Sequence, residues 1–484
     1  HKKSYTNQYW EPIIGLYLRK LIFNYIFLQR IIKKKNFFKK ANIKNFIYYQ
    51  DFSEFENDSD FKNITKRYFL KAEKIKNVKS YRFSKKPLIF GILNFLKIMI
   101  PFILIKFNIT RIFFQESYFK KDLKMFFSFK TYLFFSSLPF LRFKKLNFDK
   151  KKIFKNRLCL VKKYENYNNK DYLLQNLIFS MPVSYIENFD VISNEVKKIP
   201  LSDGLYVDGN EVKFDFVKFY IARLKLDKKK IFIGQHSLRT GLENFDIYSD
   251  FSKSTSNYFL TWGWRDKLKS IVEFSSMRIF SSLKKYEKVE FVEDNKKLDI
   301  CFILCAFSTM GYCFSDNFIE NKKAEEGRIS LLKKMKNKKK CKITLKPRDG
   351  SFITKNTKKF YSYFKILKDK TRMYEIFGNH DIIIFERISL GIAECINLNQ
   401  PVIFYYPKNL YKEKNPKFNE LLFLLKKANM VFDDSKKILK LLNSKKNISL
   451  WWNNKDNTKV RENFLKKFAK SFDYDDVKKI KKLI

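Results

Sequence analysis

At 484 residues the chain is too long for one ordinary core, so two or more domains are expected, and an apolar share of 45% excludes a disordered polyelectrolyte. The formal charge of +51 favours anionic partners such as phosphates, acidic glycans or an anionic membrane leaflet. Only 16 of the 100 basic residues are arginine, however, and lysine shares AT-rich codons with the abundant Phe, Ile and Asn, so a lysine-solvated surface accounts for much of that charge.

The first 170 residues read as helices dense in Phe, Tyr and Lys. Within them, residues 88–107 are long enough to span a bilayer, but Lys97 sits mid-run with Asn94 and Pro101 close by. A central lysine costs about 3 kcal/mol on insertion, so a surface-lying or buried helix is expected ahead of a true span. From about residue 173 the pattern changes. Short apolar runs at 205–207, 230–233, 258–261, 299–306, 342–346, 381–385 and 401–406 read as strands. Amphipathic stretches at 214–226, 321–335 and 416–428 read as helices. Alternating strand and helix implies parallel sheets covered on both faces. Ten of the twelve glycines fall between Gly204 and Gly391, which puts the tight strand-to-helix loops, and the chemistry, in that portion. The polar stretch 265–298 reads as a linker between two such sheets. Six cysteines with no CxxC pair predict a reducing compartment, with neither a disulfide framework nor a metal site.

Three segments carry candidate chemistry. The run IFIGQHSLRTG (231–241) stops a strand at Gly234-Gln235-His236, and YFLTWGW (258–264) stops the next at Trp262-Gly263-Trp264. Open α/β sheets bind ligands beyond the carboxyl ends of their strands, which makes His236, Gln235, Trp262 and Trp264 site candidates. The segment KITLKPRD (342–349) ends a strand in Lys346-Pro347-Arg348, two cations suited to a diphosphate or an acidic sugar. In DIIIFERISLGIAECINLNQP (381–401) a buried strand runs into Glu386-Arg387-Ile388-Ser389, and Gly391 opens a short helix carrying Glu394. A helix N-terminus beside Ser389 and Gly391 offers amides and a dipole to a phosphate, Arg387 adds a bidentate contact, and Glu394 lies one turn in, within reach of ribose hydroxyls. Taken alone, Ser389 also reads as an N-cap, and for Glu394 a solvated helix carboxylate is the stronger reading. No Walker loop, GxGxxG, GxSxG or HExxH occurs, which argues against P-loop NTPases, classical dehydrogenases, α/β-hydrolases and zincins.

The order of these pieces resembles the LIC12162 family of transferases, which look like GT-B glycosyltransferases of surface-polysaccharide loci. Further matching pieces are Tyr9-Trp10 with Gly15, Pro182 with Tyr185-Ile186-Glu187, residues 216–222 and Trp451-Trp452, so the resemblance runs from Tyr9 to about Phe468. It departs from the family's QHGG-type loop, which is QHSLRTG here and loses the paired glycines.

The resemblance implies an α/β, GT-B-like fold of two Rossmann-like domains with parallel sheets facing a cleft and a helix-rich N-terminal region. Its parts are an acceptor-side domain over 1–270, a linker over 271–297, a donor-binding domain over 298–450 and terminal helices over 451–484. It also implies that an upstream segment with the first strand of the N-terminal domain precedes His1. The expected activity is transfer of a sugar from a nucleotide-activated donor to a cell-envelope glycan or lipid-linked acceptor, without bound metal or cofactor. His236 is the candidate acid/base or phosphate contact, with Gln235 orienting the acceptor or sugar. Arg239, Trp262, Trp264 and Glu187 are expected to bind substrate. Lys346, Arg348, Arg387, Ser389, Gly391 and Glu394 are expected to hold the donor. The expected location is cytoplasmic, peripheral on the inner face of the inner membrane, with nucleic acid not among the partners. The alternative reading is a non-catalytic basic protein that binds polyanions by charge.

Overall fold

The computed structural model describes residues 6–32, 112–115, 135–136, 150–165, 178–209, 211–242, 246–283, 286–290, 297–304, 318–336, 341–347, 360–368, 371, 373–405 and 415–484. They form two six-stranded sheets in which every pairing is parallel.

The first sheet contains β1 (Ile112–Gln115), β2 (Phe135–Ser136), β3 (Gly204–Asp208), β4 (Lys230–Gly234), β5 (Tyr258–Thr261) and β6 (Ile271–Glu273), in the order β2-β1-β3-β4-β5-β6. The second contains β7 (Leu298–Ile303), β8 (Cys341–Lys346), β9 (Lys365–Ile366), β10 (Ile382–Phe385), β11 (Val402–Tyr405) and β12 (Val431–Phe432), in the order β12-β11-β10-β7-β8-β9. Central strands such as GLYVD and IIIF are buried along their whole length, as expected when helices cover both faces of a parallel sheet. This is a two-domain α/β fold with a parallel sheet in each domain, as the alternation of strands and helices in the sequence implied.

Two expectations are corrected. The first 170 residues are not purely helical, because β1 and β2 join the first sheet beside β3. A strand of four or two residues in a Phe-rich stretch shows too few positions to reveal a period of two. Nor is 265–298 a plain linker. It supplies β6, which pairs with β5 beyond the expected boundary at 270, and then the helix Met277–Leu283.

Each sheet reverses its winding once, between β1 and β3 in the first and between β7 and β10 in the second. Such switch points open a crevice at the strands' carboxyl ends, so each domain has one natural ligand position.

The two domains share a continuous apolar cluster. Leu238, Trp262, Trp264 and Ile279 of the first pack with Leu390, Ile392, Phe418, Phe464 and Phe468. The C-terminal helices are individually punctuated: Asp434, Ser444, Asn454 and Asp473 each accept a backbone N–H at a helix start. After the helix Lys455–Phe468 the chain crosses back to the first domain. Lys470 N–H donates to Trp262 O at 3.0 Å and Ser276 N–H donates to Lys470 O at 2.7 Å. Phe472 then packs on Phe274, and Ile480 of the last helix, Tyr474–Leu483, is buried in a cluster with Tyr206, Phe232 and Leu260. Gly263 makes the crossing possible. Its φ is +114°, and a Cβ there would lie 2.5 Å from the carbonyl oxygen of Lys466.

Among the described residues no helix is long and apolar enough to cross a membrane. Residues 88–107 lie outside the described residues.

Candidate active site

At the carboxyl edge of the first sheet, β3 ends in Asp208 and β4 in Gly234, adjacent in register. Two residues beyond Gly234, the His236 ring turns back so that Nδ1 lies 2.7 Å from Asp208 Oδ1. The Asp208 side chain is only 6% exposed, whereas that of His236 is 28% exposed. A carboxylate can only accept, so Nδ1–H donates to it, and in the neutral ring the lone pair then sits on Nε2. The contact orients the imidazole at the carboxyl ends of β3 and β4, one strand from the point where the topology reverses. Asp208 was absent from the sequence candidates, although LYVDG ends a strand by the same rule that singled out His236.

Gln235 faces inward. Its Oε1 accepts from Trp262 N at 2.9 Å and Trp264 Nε1 at 2.8 Å, while its Nε2 donates to Ser237 O at 2.7 Å. One fully buried amide thus ties the ends of β4 and β5 together and fixes the loop that carries His236. Trp262 and Trp264 are buried as well, in the cluster between the domains, and Lys417 from the second domain lies over the Trp264 ring at 5.1 Å. Arg239 lies half-buried in the turn after His236. Glu187 sits elsewhere. It takes Arg157 Nε and Nη2 at 2.7 and 2.8 Å, and Arg157, wholly buried, also donates to the carbonyls of Ile178, Phe179 and Met181.

In the second domain β10 ends at Phe385, beside the switch point, and the helix Leu390–Asn397 starts five residues later. Ser389 is its N-cap in extended backbone, without a side-chain capping bond. Gly391 allows the Phe385 ring to close on the first turn, since a Cβ would meet it at 2.6 Å. Arg387 is half-buried in the connecting turn. The turn is braced from below: Glu386 accepts from Arg328 Nη1 at 2.8 Å, and Arg328 Nε donates to the hydroxyl of Tyr361 at 2.7 Å. Burial opposes the charge on Arg328, but Glu386 and Tyr361 outweigh it and hold the guanidinium above its ordinary pKa. Lys346, mostly buried at the end of β8, donates to Pro347 O at 3.3 Å. Arg348 lies outside the described residues.

Glu394 is buried in the Leu390–Asn397 helix, and its Oε1 lies 3.6 Å from Nε of Arg278 in the helix Met277–Leu283. The neighbouring thiols are inert: burial pushes Cys301 up to about 12 and Cys395 well above its usual value. The structure therefore gathers His236 with Asp208 at one sheet edge. At the other it gathers Arg387, Ser389, Gly391 and Glu394, with Arg278 of the helix Met277–Leu283 beside Glu394.

Among solved structures, the chain is similar to HepE of Anabaena in complex with UDP and glucose, with 9% identity, 77% of this chain and 99% of that chain covered, and a TM-score of 0.36. It is similar to MurG of Acinetobacter baumannii, with 9% identity, 81% and 96% covered, and a TM-score of 0.37. It is also similar to the glycosyltransferase SnogD of Streptomyces nogalater, with 9% identity, 58% and 72% covered, and a TM-score of 0.33. Scores at this level assign no residue and no substrate. No curated protein matches the sequence. The model of the LIC12162 family transferases matches residues 1–484, and with that full-length match the chain belongs to this family of transferases.

Proposed function

We propose that the chain is a glycosyltransferase that moves a sugar from a nucleotide-activated donor to a cell-envelope glycan or lipid-linked acceptor. The Asp208–His236 pair carries this reading. Its Nε2 accepts the proton of an acceptor hydroxyl as that oxygen attacks the anomeric carbon. Asp208 stabilises the imidazolium that forms. The bond to the nucleotide's phosphate breaks, and the leaving charge goes to the second domain. There the amides at the start of the Leu390–Asn397 helix, with Arg387 and Lys346, receive the phosphates, and Glu394 accepts from the ribose hydroxyls. In this reading dipole and cations stabilise the leaving group without a bound metal. Gln235 acts by fixing the loop of His236, and Trp262 and Trp264 act by fixing Gln235. The site belongs on the cytoplasmic side, where activated donors are made, at the inner membrane surface.

Thermal stabilisation by a panel of nucleotides and nucleotide sugars tests the donor half. One nucleotide class is expected to raise Tm, and Glu394→Ala is expected to abolish the rise. A response to heparin alone would contradict the reading and favour a polyanion binder.

A further inference from the structure

The first domain carries a cavity of about 200 Å³ that no part of the proposed reaction uses. Three helices build it. On the helix Asp215–Leu226, Phe219, Arg223 and Leu226 recur at helical spacing and share one face. Ser193 and Val196 of the helix Phe189–Lys197 line the same space, and Tyr9 of the helix Asn7–Ile32 completes the wall. Phe189 packs against both Tyr9 and Phe219, with ring centroids at 6.4 and 5.3 Å, so the aromatic walls brace one another. The helices Phe189–Lys197 and Asp215–Leu226 run down to the starts of β3 and β4. The cavity therefore lies toward the amino edge of the first sheet, whereas His236 and Asp208 stand at its carboxyl edge. An apolar cavity of roughly 150 Å³ takes benzene, so this one has room for a single ring or a short alkyl segment.

Arg223 gives the cavity its chemistry. Its Nη1 donates to the carbonyls of Val196, Lys197 and Ile199, at 2.9 and 3.1 Å for the first two, and so caps the end of the helix Phe189–Lys197. The dipole favours a cation at a helix C-terminus, which accounts for Nη1. It leaves the other edge of the guanidinium unused. Among the described residues Nε and Nη2 of Arg223 have no hydrogen-bond partner, and neither atom is sealed from solvent. Asp227, exposed at the rim, makes no ion pair with it. The Nε–Nη2 edge is the fork that matches two carboxylate oxygens at once, and the bonds to Nη1 hold that fork in place in advance. We propose that the cavity binds a small amphiphilic carboxylate. Its alkyl or single-ring body lies against Tyr9, Val196, Phe219 and Leu226, and its carboxylate takes the Nε–Nη2 edge of Arg223. A bare anion would leave the apolar walls wet, and a neutral ring would leave the fork unused, so both parts are needed. The site is separate from the transfer reaction and does not depend on the roles given to His236 or to the donor-side residues.

Ligand-observed NMR on the full chain tests this with phenylacetate, hexanoate, hexanol, acetate and glucuronate. Phenylacetate and hexanoate are expected to bind saturably and to displace one another, with acetate, hexanol and glucuronate weaker by roughly tenfold or more. Arg223→Gln should weaken the two amphiphilic carboxylates by roughly tenfold or more and leave hexanol within about twofold. That variant also loses part of a helix cap, so a second one leaves Arg223 alone. Ser193 is 6% exposed and lines the cavity, and Ser193→Met places a larger side chain there. It should abolish binding of both carboxylates while the chain still unfolds cooperatively near its original Tm. Carboxylate binding that survives Ser193→Met would lie elsewhere and overturn the proposal. Hexanol binding as tightly as hexanoate would make the cavity merely apolar, and glucuronate binding ahead of phenylacetate would make it a site for an acidic sugar; either result overturns the proposal. So would the absence of saturable binding by both amphiphilic carboxylates.

Discussion

Replacing His236 with alanine is expected to lower turnover by about 100-fold or more while leaving the affinity for the donor nucleotide within about twofold. The separation follows from the placement of the groups. His236 and Asp208 stand at the carboxyl edge of the first sheet, and the residues proposed to hold the nucleotide stand at that of the second. Asp208→Asn gives a sharper version. An asparagine can present its amide N–H to Nδ1, which favours the tautomer with the proton on Nε2 and removes the base from where the hydroxyl needs it. Turnover is then expected to fall nearly as far as in His236→Ala, with little change in the unfolding transition, because the side chain keeps its shape. The double variant should be scarcely worse than either single one, since the two residues act as one unit. Measured rates of nucleoside diphosphate release decide this. Near-normal turnover in His236→Ala would remove the pair from the mechanism. Losses that multiply in the double variant would show that the two residues act separately.

The second large effect falls on stability. Arg157→Ala is expected to destabilise the first domain by about 3–5 kcal/mol, because it strands the Glu187 carboxylate and three carbonyl oxygens that share one guanidinium. Those carbonyls belong to the segment leading to Tyr185, whose hydroxyl donates to Asp215 at the start of the helix Asp215–Leu226. Loss of the clamp should therefore loosen the helix that packs behind β3 and β4. Denaturant unfolding followed by fluorescence should show an early transition for the first domain, with the second little changed. Glu187→Gln offers the contrast. If Glu187 contacts substrate, that variant raises KM at normal stability. If it serves Arg157, stability falls and KM holds. The bidentate geometry predicts the second outcome.

These two predictions differ in how far their residues could be read from the sequence. The central strands β4, β5, β10 and β11 were legible because runs such as IFIG and IIIF, closed by Gly or a polar turn, have few other uses in a chain of this length. His236 was legible for the same reason, as a rare imidazole directly after a strand. Asp208 obeys the same edge rule but sits in a chain rich in charged residues, where one more aspartate draws no notice. Gln235, Trp262 and Trp264 were located at the correct strand ends. A linear pattern does not say whether a side chain there turns toward solvent or back into the molecule, and Gln235 turns back to bind both tryptophans. The pairs Arg157–Glu187 and Arg278–Glu394 depend on the packing of separate elements, so no spacing rule reveals them. The same holds for the return of the C-terminal helix to the first sheet. Its amphipathic pattern marks a buried face, but Phe274 and Phe472 become neighbours only through the crossing at Gly263.

The most direct test of the central claim is transfer itself. The purified chain is incubated with a panel of nucleotide sugars labelled in the sugar, together with a membrane fraction rich in envelope glycolipids. Label recovered in the glycan or lipid fraction and nucleoside diphosphate released to water are then counted together. The expected result is one donor whose label moves to acceptor in equal amount to the diphosphate released, with both signals lost in His236→Ala. Binding of donor without transfer of label to any acceptor, or transfer that survives the loss of His236, would contradict it.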